Sequence, residues 1–340
     1  MNGNPSYQPP YTITPGIVHL VARISETVGR LTVLVDQPSP LRLRRINRIR
    51  TIRGSLAIEG NTLSEAQVTA ILEGQRVIAP PREVQEVRNA IAAYDRFAQW
   101  NPGESADLLE AHRILMAGLL DDAGRYRRGS VGVMADGEVM HLAPPADRVP
   151  VLMTDLFQWL ADSKEHPLIT SSVFHYEFEF IHPFADGNGR MGRLWQSLIL
   201  VRWKPLFADI PVESLVHEHQ TEYYRALQMS TEQTDCAPFI EFMLRMILDA
   251  ASVFTPQVAP HVTPQVRRML EIMQGEMSRE SMQSALDLRD RKSFRVRYLV
   301  PALVEGLIEM TIPDRPNSRL QKYRLTGKGQ QMAAQGEVLS

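Results

Sequence analysis

Apolar residues recur every three to four positions along most of this chain, the spacing that lines one face of an α-helix. Val18, Val21, Val28, Leu31 and Leu34 do so between residues 17 and 35, and Pro38 and Pro40 end that helix. Leu41, Ile46, Ile49, Ile52 and Leu56 form the apolar face of a second helix, with Arg42, Arg45, Arg48 and Arg53 on its solvated side. Gly60 suits a left-handed cap at its C-terminal end. Ser64, with Gln67 three residues on, reads as a capping box opening a third helix. Helical periodicity continues through 82–100, 108–119, 149–161 and 170–181. The apolar run 194–203 reads as a buried helix, and 220–229 and 238–254 as two more. The rhythm breaks at 130–134 and 138–142, which alternate around Asp136-Gly137 as the arms of a β-hairpin do.

Three prolines between residues 255 and 264 mark a linker. Beyond it come short helices near 265–274 and 279–285, a longer one at 294–305, and strand-like pieces at 307–312 and 321–325 around a turn at 313–318. That is the order of a winged helix-turn-helix domain, here 265–340. The remainder divides into an N-terminal helical segment, 1–100, and a core, 101–254. The fold class expected is mainly α, a helical bundle with one β-hairpin plus the winged helix.

Composition adds limits. A chain of 340 residues has room for two domains, and 44% hydrophobic with 22% charged residues belongs to a globular protein rather than a disordered one. A net charge of −2 gives no bulk attraction to nucleic acid, yet residues 289–328 hold ten Lys/Arg and four Asp/Glu, a local 10 − 4 = +6. DNA is therefore a candidate partner of the winged helix, although no base-contacting residue can be singled out. One cysteine, Cys236, excludes an internal disulfide and fits a reducing compartment. The polar, Pro-rich first fifteen residues lack the apolar centre of a signal peptide, and no run approaches the ~18 apolar residues of a membrane span. The expected location is the cytoplasm with no membrane partner; a homo-oligomer is not excluded.

The densest chemistry lies in His182-Pro-Phe-Ala-Asp-Gly-Asn-Gly-Arg-Met-Gly-Arg193, between two apolar helices. The glycines let successive backbone N–H groups converge into an anion nest, and a helix starting after Gly187 adds its N-terminal dipole. Arg190 and Arg193, three apart on one helical face, suit phosphate oxygens. Asp186 is a hard oxygen ligand of the kind magnesium takes together with substrate phosphates. His182 can accept a proton near neutral pH. Base, metal ligand, nest and cationic clamp together describe phosphoryl or nucleotidyl transfer.

The motif resembles the signature of the Fic family, HPFx[DE]GNGRxxR, at every fixed position. The resemblance, which covers about residues 17–250, implies a Fic-fold helical bundle that transfers AMP from ATP to a Ser, Thr or Tyr hydroxyl of a target protein or of the chain itself. It implies His182 as base, Asp186 as the Mg²⁺ ligand, and Gly187, Asn188, Gly189, Arg190 and Arg193 as the binders of ATP's phosphates. The Doc kinases, a related branch, depart from the pattern in the glycine stretch and transfer the γ-phosphate; Gly187-Asn-Gly189 is intact here. Ser55-Leu-Ala-Ile-Glu-Gly-Asn61 resembles the family's inhibitory motif, [ST]xxxE[GN]. It implies that Glu59, with Ser55, restrains the enzyme, Glu59 pairing with Arg193 in a bidentate fashion where the γ-phosphate would sit. The hairpin resembles the family's target-docking flap, through Val131, Val133, Met134, Asp136 and Gly137, and Gly124-Arg-Tyr-Arg127 resembles the run into it.

Three other readings compete. Gly187, Gly189 and Gly192 spell a dinucleotide-binding GxGxxG with Asp209 about twenty residues on, but Pro183 and Asp186 interrupt the approach and no βαβ alternation surrounds it. His175, Glu179 and His182 share a helical face that could hold a metal, but HExxH is absent, and His175 reads as a packing histidine. A nucleotide-sensing transcriptional regulator, reading DNA through the winged helix, is the alternative from outside enzymology.

Overall fold

The structure, a computed structural model, describes residues 7–34, 41–135, 138–258, 264–288, 290–313, 318 and 320–334. Two compact units emerge, residues 1–258 and 259–340. In the first, the apolar stripes become helices: α1 Pro15–Leu34, α2 Leu41–Ile58, α3 Glu65–Leu72, α4 Pro81–Arg96 and α5 Ser105–Leu115. A two-stranded hairpin follows, β1 Gly132–Ala135 and β2 Glu138–Leu142, then α6 Val149–Asp162, α7 Pro167–Ile181 and α8 Asn188–Trp203. Helices α9 Val212–Glu218, α10 Gln220–Gln233 and α11 Ala237–Val258 complete the bundle.

The pair α7 and α8 forms the centre. Phe174 and Phe178 on α7 and Trp195 on α8 are fully buried, because other helices cover this pair on nearly every side, polar positions included. Gly192 allows the close approach: a Cβ there would lie 2.7 Å from the His175 ring. Around this pair α1 packs along α11, and α2 lies across α9. Gly54 sits at that second crossing, where a Cβ would lie 2.7 Å from the Glu213 backbone. The arginines of α2 find acidic neighbours as well as solvent: Arg45 pairs with Glu73 at 2.5 Å and Arg48 with Asp95 at 2.7 Å.

Local signals are met where they are strongest. Ser64 and Gln67 form a reciprocal capping box at the start of α3, and Gly60 adopts φ +88° after α2. Differences occur where packing competes with pattern. α9, with Val212, Leu215 and Val216 at i, i+3 and i+4, is only seven residues long, too short for that pattern to stand out in the sequence. α11 runs on to Val258, four residues into the Pro-rich stretch, carried by its packing on α1 and α10. β1 and β2 pair antiparallel with a bulge between Val133 and Met134, and Asp136-Gly137 lies outside the described residues.

The second unit is a winged helix: α12 Pro264–Ile272, β3 Met277–Ser278, α13 Arg279–Ala285, a helical stretch 291–304, β4 Ile308–Met310, β5 Lys322–Leu325 and α16 in chain order, Gly327–Ala334. The strands form an antiparallel sheet in the order β3-β5-β4, one short strand more than the sequence suggested. Met269, Leu270, Met282, Phe294, Leu299 and Tyr323 fill its core. The stretch 291–304 is helical in three parts, α14 Arg291–Phe294, a π-turn at Arg295–Leu299 and α15 Val300–Val304. Pro301 explains the widened turn, since its ring would clash with a carbonyl four residues back in a regular helix. Among the described residues no helix is long and apolar enough to cross a membrane.

Candidate active site

Helix α7 stops at Ile181, and His182 turns the chain with φ 49° and ψ 61°, a left-handed conformation rare for a residue with a Cβ. Strain of this kind costs of order 1–3 kcal/mol and persists only where neighbours over-determine it. Arg127 is the neighbour. Its backbone N–H donates to Pro183 O at 2.9 Å, and its buried guanidinium donates to His182 O at 2.7 Å and Ile181 O at 3.3 Å. The same guanidinium reaches Gly129 O at 2.9 Å and Pro144 O at 2.5 Å, so the base of the hairpin and the His182 turn hang on one side chain. The His182 ring is mostly covered, and its Nδ1 faces Glu179 O at 3.4 Å. With Nδ1 as the donor of that bond, Nε2 carries the lone pair that can take a proton.

The loop 183–187 is set by Asn188. Its side-chain Oδ1 accepts from Phe184 N and its Nδ2 donates to Phe184 O, both at 2.9 Å, with the residue 2% exposed. Phe184 is buried beneath, its ring stacked on His112 at 3.6 Å between centroids. His112 accepts from Gly124 N at Nδ1 (2.8 Å) and donates from Nε2 to Asp186 O (2.9 Å). Burial lowers its pKa to about 4, so this ring stays neutral near pH 7 and acts as a hydrogen-bonded prop.

Gly187 takes φ +85° as the N-cap of α8, where a Cβ would lie 2.7 Å from Met116 Sδ. The first intrahelical bond runs from Met191 N to Gly187 O, so the N–H groups of Asn188, Gly189 and Arg190 precede the ladder at the positive end of the helix. The Glu59 carboxylate stands there: a Cβ on Gly189 would run into Glu59 Oε1 and lie 3.1 Å from Arg193 Nη1. Arg193, 2% exposed, donates from Nη2 to Glu59 Oε1 at 2.7 Å and to Ser55 O at 3.0 Å, and from Nε to Ser55 Oγ at 3.2 Å. Burial pushes this guanidinium down, but Glu59's charge and hydrogen bond outweigh it and hold the group above its ordinary range. The expected bidentate pair is corrected to a single-oxygen contact, because Ser55 takes Nε and a share of Nη2. Arg193 Nη1 is buried without a partner.

Asp186 is half exposed. Its Oδ1 accepts from Gly187 N at 2.6 Å and faces Arg190 Nη2 at 3.2 Å, and its Oδ2 meets Arg82 Nη2 at 3.1 Å. Arg190 is almost wholly buried and also faces Glu86 Oε1 at 3.6 Å. Among the described residues no cluster of three or more His, Cys, Asp or Glu could hold a metal by itself. A lone accessible carboxylate beside an anion site still fits magnesium, which takes one or two carboxylates and completes its shell with phosphates and water.

The structure therefore gathers His182, Asp186, Gly187, Asn188, Gly189, Arg190, Arg193, Ser55 and Glu59 at one end of α8. Of the hairpin residues, Val131 accepts from Ala143 N at 3.3 Å, while Val133 and Met134 stand opposite His141 and Val139. His175 spends both ring nitrogens internally, on Gln196 Oε1 at 2.6 Å and Tyr223 OH at 3.1 Å, as a packing histidine does. Of the three glycines in the GxGxxG reading, Gly187 turns the chain, Gly189 leaves room for an anion and Gly192 packs helices. His112, Arg82 and Glu86 were missed from sequence. The only signal for the last two was an acid four residues after a base on one helix, which is common.

Residues 102–200 match the Fic/DOC family, and residues 264–326 match the C-terminal domain of Fic-like proteins, described as filamentation induced by cAMP. A crystal structure of a Fic family protein from Desulfovibrio desulfuricans G20 is 55% identical, with a TM-score of 0.72, covering 95% of this chain and 99% of that one. Fic-1 from C. elegans shares the fold, at 24% identity and a TM-score of 0.57 over 71% of each chain. The protein adenylyltransferase Fic of Aedes aegypti is 33% identical over 210 residues, and that of Culex quinquefasciatus 32% over 209. The match covers 57% of this chain and 39% of each of those proteins, so the chain spans about two fifths of their length. Near-complete mutual coverage of the bacterial structure, with the Fic motif built into one site, means that the chain belongs to the Fic family.

Proposed function

We propose that the chain is a protein adenylyltransferase moving AMP from ATP to a hydroxyl of a target protein or of itself, restrained by Glu59. The observation that carries this reading is the seat of the Glu59 carboxylate, over Gly189 and on Arg193, where a phosphate would find both a helix N-terminus and a buried guanidinium. His182 takes the proton of the attacking hydroxyl at Nε2 as that oxygen bonds the α-phosphorus and the α–β bridging bond breaks, releasing pyrophosphate. The N–H groups of Asn188, Gly189 and Arg190, with the Arg190 guanidinium, hold the phosphates. Asp186 holds Mg²⁺, which supplies charge neutralisation on the phosphates when bound. The hairpin, tied to the His182 turn by Arg127, aligns a target segment as an added strand beside the base. Mg²⁺-ATP incubation of the Glu59→Gly variant, followed by intact-mass measurement, tests this. An adduct of one AMP per modified hydroxyl supports it, and a phosphate adduct or none, with candidate targets supplied, counts against it.

A second reading rests on the winged helix. Arg291, Arg295 and Arg297 are exposed on its 291–304 stretch beside exposed Val296, and among the described residues none of the three pairs with a carboxylate. Unneutralised arginines interleaved with an apolar side chain suit a DNA groove. In this reading the domain brings the enzyme to DNA. Salt-dependent DNA binding, weakened by Arg295→Ala and indifferent to His182→Ala, supports it; no binding at low salt refutes it.

A further inference from the structure

The turn after Glu59 is gripped by α4. Asn61, 8% exposed, donates from Nδ2 to Glu86 Oε2 at 2.8 Å and to Glu83 O at 3.2 Å, and its Oδ1 accepts from Leu63 N at 3.1 Å. Thr62 adds two bonds to Glu83 Oε2, from its N–H at 2.6 Å and its Oγ1 at 2.8 Å. On the opposite flank, Gln220 Nε2 holds Ile58 O at 2.8 Å. Glu59 therefore does not hang from a loose helix end; its backbone is clamped on both sides.

The second oxygen of Glu86 belongs to the phosphate site. Glu86 Oε1 faces Arg190 Nη1 at 3.6 Å and Arg82 Nε at 3.5 Å, and both arginines reach on to Asp186. A single, mostly buried carboxylate is thus shared between the turn that carries Glu59 and the two guanidinium groups nearest the candidate metal ligand. We propose that Glu86 is a positioning residue that holds Glu59 over the start of α8, and that it yields when Arg190 and Arg82 turn to an incoming polyphosphate. The proposal rests on the reading of Glu59 as the restraint. Phosphate oxygens offer a guanidinium fork the bidentate, charge-assisted bonds that Glu86, at 3.5 and 3.6 Å, does not make. Once they draw off its counter-ions, Glu86 is a buried anion beside another anion, relieved by moving outward and giving up Asn61. Coupling of this kind is reciprocal: loosening the turn favours the nucleotide-competent site as much as the nucleotide loosens the turn.

Asn61→Ala tests the proposal by removing the hydrogen bond to Glu86 while Glu59, Glu86 and the arginines themselves stay in place. Loss of a hydrogen bond to a charged partner shifts the restraint by about tenfold. With Glu59 intact, Asn61→Ala should label about tenfold faster from α-labelled ATP than the wild type, and it should add nothing in a Glu59→Gly background, where there is no restraint left to loosen. Hydrogen exchange, read on the same proteins without nucleotide, should be about tenfold faster at the amides of residues 59–63 in Asn61→Ala. A gain in activity is an outcome that general destabilisation does not produce. Unchanged exchange at 59–63 overturns the proposal, as does faster exchange with no gain in labelling while Glu59→Gly labels strongly. If Glu59→Gly itself is silent, the reading of function is at fault, and the exchange measurement still decides whether Asn61 anchors the turn.

Discussion

Arg193 is a buried cation whose charge is met by one carboxylate oxygen, and removing that carboxylate should be felt in stability before any chemistry is assayed. Breaking a buried ion pair by deleting one partner costs about 3–5 kcal/mol. Glu59 is a third exposed, so water enters the vacated space, and Ser55 still offers two oxygens. The discounted cost for Glu59→Ala is about 2 kcal/mol, near the value of one hydrogen bond to a charged group. For a unit of this size that corresponds to a fall in Tm of about 4–8 °C. The vacancy then becomes a specific demand for an anion. If, as proposed, Arg193 is the seat of ATP's γ-phosphate once Glu59 is gone, ATP should bind Glu59→Ala up to about thirtyfold more tightly than wild type, the factor equivalent to 2 kcal/mol. AMP lacks that phosphate and should bind both proteins alike. Scanning calorimetry without nucleotide, with Mg²⁺-ATP and with AMP reads all three quantities. Equal Tm values for the two proteins, or an AMP shift that grows as much as the ATP shift, would refute the assignment of Glu59 as the occupant of the γ-phosphate position.

Further consequences follow from the supporting residues. Gly187→Ala forces a Cβ onto Met116 at φ +85° and should destabilise by about 1–3 kcal/mol, read by urea unfolding, with loss of AMP transfer. Arg127→Ala removes four side-chain bonds that hold the His182 turn and the hairpin base; AMP transfer should fall by at least tenfold in a Glu59→Gly background while far-UV circular dichroism is unchanged. Burial lowers His112 from 6.5 to about 4, so between those values the unfolded chain holds the extra proton and stability falls as pH drops from 6.5 towards 4. That loss amounts to about 3 kcal/mol. Glu177, raised by burial to about 7, acts in the opposite sense, its folded form binding the proton first as pH falls from 7. His112→Phe removes the destabilising term alone, so it should lose less stability than the wild type, or gain some, between pH 7.5 and pH 4.5 in urea titrations.

What the sequence disclosed was whatever is local. His182 to Arg193 carries its chemistry in twelve consecutive residues, and Gly60, Gly187 and the Ser64–Gln67 box act within one turn of the chain. What it withheld depends on contacts between distant segments. Arg127 meets His182 across 55 positions and Arg82 meets Asp186 across 104; Gly124-Arg-Tyr-Arg127 pointed to the run into the hairpin but not to the His182 carbonyl, and nothing around Arg82 distinguishes it from a surface arginine. His112 lies on a short amphipathic helix and reads as an ordinary packing residue until Phe184 and Asp186 close over it. The bidentate pairing expected for Glu59 failed for a similar reason: the motif names Ser55, but not that its Oγ takes Arg193 Nε from 138 positions away.

The central claim, AMP transfer by His182 under restraint by Glu59, is tested most directly with α-labelled and γ-labelled ATP offered separately to wild type, Glu59→Gly and Glu59→Gly combined with His182→Ala. Protein label from the α-position alone, weak in wild type, strong in Glu59→Gly and lost with His182→Ala, is the result predicted. Label from the γ-position, or α-label that survives His182→Ala, would contradict it.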